Sequence, residues 1–227
     1  MAIDKTAVIG FPVDHSLSPI IHNHWIKELA LDIKPYEKLN VDPNMFKEQI
    51  NNLKAEGFGG INVTVPLKEL AFNISDETSN VSKKLRSANT LTLSSDKINA
   101  DNTDAVGFIN SLDKKTIEEN ITNKKTLVLG AGGSARSVVH ALNELGSQVR
   151  LFNRTPEKAA ILLNDLSINS SPVSTEELDD YANSSSFIVN TTSLGQKEGE
   201  HNNILSFENI GMETSVSYTH LTLPTKA

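Results

Sequence analysis

Residues 126–155 read TLVLGAGGSARSVVHALNELGSQVRLFNRT, and the order of residue types in this stretch decides the fold. Thr126-Leu127-Val128-Leu129 is a short apolar run, the pattern of a parallel strand buried on both faces. Gly130-Ala131-Gly132-Gly133-Ser134-Ala135 follows at once. From Ala135 to Leu145 the apolar residues recur at helical spacing, with Val138, Val139, Leu142 and Leu145 on one stripe, and Gly146 ends the run. Gln148 to Phe152 reads as a second strand. Strand, glycine turn, helix and strand in this order predict a βαβ half of the dinucleotide-binding kind.

The chemistry of the turn is specific. Gly130 permits a tight exit from the strand, and Gly132 and Gly133 let the backbone approach a pyrophosphate with no Cβ between them. The helix N-terminus then offers unpaired N–H groups and a partial positive charge to the anion. The pattern is GAGGSA, with Ala135 as a permitted small residue in the third glycine's place. A plain βα turn is the alternative; the placement between strand and helix favours the dinucleotide. NAD sites commonly end the second strand with an acidic residue for the ribose 2′-OH. Here the strand ends Asn153-Arg154-Thr155, with no carboxylate. Arg154 can pair with a 2′-phosphate and stack on adenine, and Asn153 and Thr155 can add hydrogen bonds. NADP is therefore preferred to NAD, against the alternative that Arg154 is a solvated loop cation. Thr155-Pro156 also reads as the N-cap and first residue of the next helix.

The rest of the composition narrows the class. A chain of 227 residues, 38% hydrophobic, suffices for one large domain or two small ones. The net charge of −7 and the lack of any Lys/Arg block argue against nucleic acid as a partner. There is no cysteine, hence no disulfide, no thiol nucleophile and no Cys-based zinc site. No run approaches transmembrane length and Met1 to Gly10 lacks a secretory pattern, so no membrane partner and a cytoplasmic location are expected. His22 and His24 stand two apart on a helix, on different faces, which is poor metal geometry; they read as structural or surface residues, and no metal is expected.

Strands alternate with helices along the whole chain, so the expected fold is α/β throughout, with parallel sheets. Thr6–Gly10 is a strand, and Ser18-Pro19 starts a helix to about Ala30 with Ile21, Trp25, Ile26 and Leu29 as its apolar stripe. Pro35–Val41 is a strand, Pro43–Leu53 a helix with Met45, Phe46, Ile50 and Leu53 facing in, and Gly59–Val65 a strand closed by Pro66. Leu67–Asn73 begins helical, and 88–93 and 97–100 form a hairpin across Ser94-Ser95-Asp96. Asp104–Leu112 is helical, and the polar stretch 113–125 reads as the domain connection. Beyond the glycine turn follow helices at 156–166 and 175–181, then a strand at Phe187–Asn190. The domains expected are 1–122 for substrate and 123–214 for the dinucleotide, the latter an incomplete Rossmann-type domain, with 215–227 as a tail.

Three polar clusters fall at strand ends or helix starts, where open α/β sheets place ligands. Ser16 and Ser18 can grip a carboxylate or a diol, although Ser18 as an N-cap needs no ligand. Asn62 and Thr64 share one face of an extended strand, and Lys68 follows the proline that stops it. A lone lysine is usually solvated; beside a carboxylate in a cleft it can move a proton. Asn102-Thr103-Asp104 is a polar turn whose carboxylate is either a helix-start residue or a partner for Lys68.

At these residues the sequence resembles the shikimate dehydrogenase family. The similarity is carried by Gly10-x-Pro12-x-x-His15-Ser16-x-Ser18-Pro19-x-x-His22-Asn23, by Asn62-Val63-Thr64-x-Pro66-x-Lys68, by Ala88-Asn89-Thr90 and by Asn102-Thr103-Asp104-x-x-Gly107. It continues through Gly130-Ala131-Gly132-Gly133-x-Ala135-Arg136, Asn153-Arg154-Thr155 and Asn190-Thr191-Thr192-x-x-Gly195. The resemblance implies NADPH-linked reduction of 3-dehydroshikimate to shikimate, by a monomer or homodimer. It implies that Ser16, Ser18 and Thr64 bind the substrate carboxylate and that Lys68, Asn89 and Asp104 contact ring hydroxyls, Lys68 and Asp104 as the acid/base pair. It implies that Gly130 to Ala135 hold the pyrophosphate, that Asn153, Arg154 and Thr155 hold the 2′-phosphate, and that Thr191 and Thr192 line the cofactor side.

Beyond Met212-Glu213-Thr214 the resemblance stops: the family's Asp-x-x-Tyr strand, nicotinamide-side glycine turn and C-terminal glutamine have no match, and Ala100 stands where a glycine is common. The expectation is an uncovered sheet edge, poor stability and weak or absent turnover. Competing readings are a quinate/shikimate dehydrogenase and a chain that binds NADP(H) without turnover. A two-domain folate dehydrogenase suits the Ser16/Ser18 and Asn102-Thr103-Asp104 motifs less well.

Overall fold

The computed structural model describes residues 4–192 and the backbone of a strand at 215–218. The chain forms two compact units, Met1–Thr103 and Asp104–Ala227.

The first unit contains β1 (Lys5–Gly10), α1 (Ser18–Glu28), β2 (Glu37–Asn40), α2 (Phe46–Ala55) and β3 (Phe58–Val63), then α3 (Lys68–Ile74), β4 (Glu77–Thr78), α4 (Asn80–Leu85), β5 (Thr90–Leu93) and β6 (Ile98–Asp101). Its sheet runs β2-β1-β3-β5-β6-β4. β1 is parallel to β2 and β3, whereas β5 is antiparallel to both β3 and β6. The sheet is therefore mixed, and the hairpin expected across Ser94-Ser95-Asp96 is its antiparallel part. A turn as short as Ser94-Ser95-Asp96, closed by the Ser94 N–H on the Lys97 carbonyl at 2.9 Å, leaves no room for a crossover. Side chains alternate across β1: Ala7 and Ile9 join Phe46, Ile50 and Leu53 of α2 in one core, while Val8 packs on the other face with Val13 and Tyr36.

Two helical faces are less buried than their periodicity predicts. No residue of α1 is buried; Ile21, Trp25 and Leu29 are 47%, 51% and 66% exposed, and Ile26 alone of the four packs on the Val8 cluster. A cavity of about 360 Å³ lies beside this helix, lined by Trp25, Ile26, Leu29, Tyr36, Ile61 and Leu91 among others. Met45 is exposed as well, because it ends a 3-10 turn (Pro43–Met45) rather than joining the stripe of α2. Periodicity says which residues share a face, not whether anything covers that face.

The second unit contains α5 (Asp104–Ser111), α6 (Lys114–Thr116) leading into a π-helical turn at Ile117–Ile121, β7 (Lys125–Leu129), α7 (Gly133–Glu144) and β8 (Gln148–Phe152), then α8 (Pro156–Asp165), α9 (Leu178–Ser184), β9 (Phe187–Asn190) and β10 (Ser215–Tyr218). The units divide earlier than the boundary read at 122/123. The reason is packing: Phe108, Leu112 and Ile117 lie against the second core, and Ile121 is fully buried in it. The polar stretch 113–125 is therefore largely helical, started by Asp113, whose carboxylate accepts the Thr116 N–H at 2.8 Å.

The second sheet runs β10-β9-β7-β8, parallel throughout. Leu127 and Leu129 face one core with Ile188 and Leu178; Val128 faces the other with Val138, Val139 and Leu142 of α7. Both faces are covered, which is why the strand reads as an unbroken apolar run. β10 pairs with β9 from Ser215↔Phe187 to Tyr218↔Asn190. β10 is thereby the edge strand of this sheet on the β9 side. The Ser193-Leu194-Gly195 part of the last motif, Met212-Glu213-Thr214 and residues 219–227 lie outside the described residues.

Candidate active site

In the first unit the polar clusters gather at one end of the sheet. Backbone hydrogen bonds tie the loops leaving β1, β3 and β6 to the start of β5. Phe11 N–H donates to the Val65 carbonyl (3.1 Å), Thr64 N–H to Ile9 (2.9 Å), Val63 N–H to Asn89 (2.8 Å) and Asn89 N–H to Asp101 (3.0 Å). Gly10 is required here by close approach: a Cβ would lie 2.6 Å from Thr64 Cγ2. The loop that carries Ser16 and Ser18 is thereby held against the loop that carries Thr64 and Lys68.

Ser16 is half-buried, and its Oγ accepts the Ser18 N–H at 3.3 Å. Ser18 is not the N-cap that the sequence predicts. Leu17 occupies that position, its carbonyl accepts the N–H groups of Ile20 and Ile21, and no side chain caps the helix. The Ser18 hydroxyl is thus not consumed by the helix. Lys68 is the first residue of α3 and half-buried, and its carbonyl accepts the Ala88 N–H at 2.9 Å. Asn89 is held by its amide: Oδ1 accepts the Thr103 N–H (3.0 Å) and the Thr90 hydroxyl (2.9 Å), and Nδ2 donates to Thr103 Oγ1 (2.9 Å). Asn102 is buried, with Nδ2 donating to the Ser87 carbonyl at 3.0 Å, which fixes the turn that Thr103 completes. Asp104 opens α5 as the acidic residue of its first turn and is half-buried.

In the second unit the neighbours of β7 are β8 on one side and β9 on the other, so its C-terminal end is a topological switch point. The glycine turn sits there. Gly130 has φ of +101°, and a Cβ on it would lie 2.8 Å from Thr191 Oγ1 and 2.9 Å from Thr192 Cγ2. Thr191 is fixed in turn, its hydroxyl donating to the Leu129 carbonyl at 2.7 Å, and the Thr192 N–H and hydroxyl both reach Asn190 Oδ1 (2.9 and 2.7 Å). Gly132 is the N-cap residue of α7 and a Cβ on it would meet nothing within 4 Å. The first N–H groups of a 12-residue helix therefore face an open cradle with no side-chain cap.

Asn153 shapes that cradle: Oδ1 accepts the Ala131 N–H at 3.1 Å and Nδ2 donates to the Thr155 carbonyl at 2.8 Å. Arg154 is exposed and pairs with no carboxylate among the described residues. Thr155 is the N-cap residue of α8, as expected, but its hydroxyl makes no cap hydrogen bond. A helix N-terminus without a side-chain cap, an exposed guanidinium and a hydroxyl beside it fit a dinucleotide bearing a 2′-phosphate.

Sequence reasoning gave Asn62, Thr90 and Thr103 only as members of motifs, and missed Tyr36. Tyr36 OH donates to Asn62 Oδ1 at 2.7 Å, and Asn62 Nδ2 donates across the strands to Thr90 Oγ1 at 3.5 Å. Among the described residues no helix is long and apolar enough to cross a membrane.

A parallel Rossmann-type unit with a 2′-phosphate-compatible cradle, on one chain with an α/β unit bearing a lysine and clustered hydroxyl and amide groups, defines a nicotinamide-dinucleotide oxidoreductase. Residues 8–91 match the family model of the shikimate dehydrogenase substrate binding domain, and residues 111–207 match that of shikimate / quinate 5-dehydrogenase. The chain belongs to the shikimate dehydrogenase family. The NADP(+) shikimate dehydrogenase of Methylocella silvestris is 37% identical over 196 residues, which are 86% of this chain and 70% of that one. The shikimate dehydrogenase structure from Aquifex aeolicus has a TM-score of 0.84 at 36% identity, covering 95% of this chain and 78% of that one. The Thermus thermophilus enzyme, solved in complex with NADP(H) and shikimate, has a TM-score of 0.80 at 29% identity with the same coverage.

Proposed function

We propose that the chain interconverts 3-dehydroshikimate and shikimate using NADPH and NADP⁺. The observation that carries this reading is the gathering of Ser16, Ser18, Thr64, Lys68 and Asn89 at one end of the first sheet, in a member of this family. NADPH, when bound at the glycine turn, supplies the hydride that the C3 carbonyl carbon receives. The residues of the chain do the rest. The hydroxyls of Ser16, Ser18 and Thr64 hold the substrate carboxylate, and Asn89 meets a ring hydroxyl. Lys68 delivers the proton to the oxygen on C3 and takes it back in the reverse direction, with Asp104 as the carboxylate that orients it. The N–H groups from Gly130 to Ala135 take the pyrophosphate and Arg154 the 2′-phosphate, with Asn153 and Thr155 beside it. Thr191 and Thr192 line the cofactor side. The working form is a cytoplasmic monomer or homodimer.

The test is NADP⁺ reduction at 340 nm with shikimate, beside Lys68→Ala. Turnover abolished by the substitution supports the reading; turnover indifferent to it removes Lys68 from the chemistry. The second family model covers quinate as well as shikimate, so quinate and NAD⁺ belong in the same assay. A preference for either moves the assignment to a quinate/shikimate dehydrogenase. NADPH binding with no turnover of either acid would leave a dinucleotide-binding chain.

A further inference from the structure

The His22-Asn23 pair of the N-terminal motif has no part in the chemistry above, yet both residues grip the same tyrosine. Asn23 clamps the backbone of Tyr36 from both sides: Oδ1 accepts its N–H at 2.7 Å and Nδ2 donates to its carbonyl at 3.0 Å. The His22 ring stacks on the Tyr36 ring, centroids 4.2 Å apart and planes 7° from parallel. Tyr36 is only 5% exposed, and its hydroxyl donates to Asn62 Oδ1 at 2.7 Å. Asn62 and Thr90 are direct cross-strand partners on β3 and β5. Asn62 Nδ2 donates to Thr90 Oγ1 (3.5 Å, the longest link), and the Thr90 hydroxyl donates to Asn89 Oδ1 (2.9 Å).

We propose that Tyr36 is a positioning residue for Asn89, acting through the directional relay Tyr36–Asn62–Thr90–Asn89. The chain of donors runs one way. An asparagine amide has the same shape in either orientation, so only its partners decide where the oxygen points. Tyr36 offers a proton, which turns the oxygen of Asn62 toward it and the NH₂ toward Thr90. Thr90 Oγ1 accepts there and spends its own proton on Asn89 Oδ1. The Thr103 N–H holds the same oxygen, so Asn89 presents its nitrogen as the donor side. Burial pushes the Tyr36 phenol well above its ordinary value, which keeps the first donor protonated at any working pH. Linked hydrogen bonds of this kind polarise one another, so loss of the first weakens the last.

The catalytic consequence rests on Asn89 as a substrate ligand, as proposed above; the relay itself does not. The test is therefore two measurements on Tyr36→Phe in the full ¹⁵N-labelled chain. The first follows the side-chain amide signals of Asn62 and Asn89 by NMR. Both are expected to shift, although the hydroxyl removed is bonded to Asn62 and reaches Asn89 only through the relay. Asn62→Ala, which cuts the relay in the middle, is expected to move Asn89 as well. The second compares KM values: that for shikimate is expected to rise roughly two- to tenfold, the worth of one hydrogen bond, with that for NADP⁺ unchanged. Asn89 signals unmoved in either variant overturn the relay, whether or not the chain turns over. A moved Asn89 with both KM values altered alike, or neither, makes Tyr36 a fold residue only and overturns its role toward substrate. If wild type gives no turnover with shikimate, the functional reading falls while the NMR result still decides the relay.

Discussion

Lys68 stands at the first position of a short helix, behind the loop that the Phe11 and Thr64 N–H groups stitch to β1. Its replacement by Ala is expected to lower kcat by about 10²- to 10⁴-fold, the usual worth of a positioned proton donor, and to change KM for shikimate far less. Steady-state kinetics at saturating NADP⁺ checks this. Arg154 gives a second outcome: Arg154→Asp should cost roughly tenfold or more in kcat/KM for NADP⁺ and narrow the gap to NAD⁺, because the proposed charge-assisted contact becomes a repulsion. Gly130→Ala carries a double penalty, a φ of +101° and a Cβ against both threonines, and should lower stability by about 1–3 kcal/mol in a denaturant titration. The glycine turn was legible because its signal is local. Tyr36 was not: its partners Asn23 and Asn62 lie 13 and 26 residues away, and no short window contains both ends of such a bond. Ser18 differs although its partner is near: Ser16 Oγ takes its N–H and Leu17 holds the N-cap position.

Among the elements, the βαβ unit from β7 to β8 was read almost to its boundaries, because strand, turn and helix each announce themselves within a few residues. β4 and α4 were not. β4 is two residues long, and α4 buries only Ser82 and Leu85, too few to make a stripe. The 113–125 stretch misled through its charge: Ile117, Ile121 and the capping Asp113 hold its helical turns in place among solvated lysines and glutamates. Two helices are joined by an ion pair: Arg136 Nη2 of α7 meets Asp165 Oδ2 of α8 at 2.9 Å, with side chains 11% and 17% exposed. Asp165→Ala leaves that guanidinium buried without its carboxylate and should cost about 3 kcal/mol, read as a lowered melting midpoint. α1 offers a pH test. Burial lowers the pKa of His22 below 6.5. At higher pH both folded and unfolded chains carry it neutral and its contribution is fully present. As pH falls through 6.5 and on through the folded value, the unfolded chain binds a proton that the folded one resists, and stability is lost. Melting curves from pH 7.5 to 5 should show this slope, and His22→Gln should flatten it.

At the scale of the whole chain, each unit carries its own sheet and core, so local faults should stay local. A chain ended at Thr214 tests this. Without β10 the outer edge of β9 is free, and the second unit should melt earlier and aggregate more readily than the full chain, while the first unit keeps its transition. Calorimetry with light scattering reads both. The division between the units was placed too late in the sequence because composition marks where a chain is polar, whereas packing decides which unit a helix joins; Phe108 and Leu112 join the second.

β10 is also a matter of timing. β7, β8 and β9 leave the ribosome before the residues that pair with β9, and the ribosome adds roughly 5–20 residues per second. Between the emergence of Asn190 and that of Ser215 there is an interval on the order of seconds in which a nearly finished parallel sheet offers one unpaired row of amide and carbonyl groups. Crowding of nascent chains on one message, or slow decoding in that interval, should therefore lower the yield of soluble protein without altering the stability of the molecules that finish.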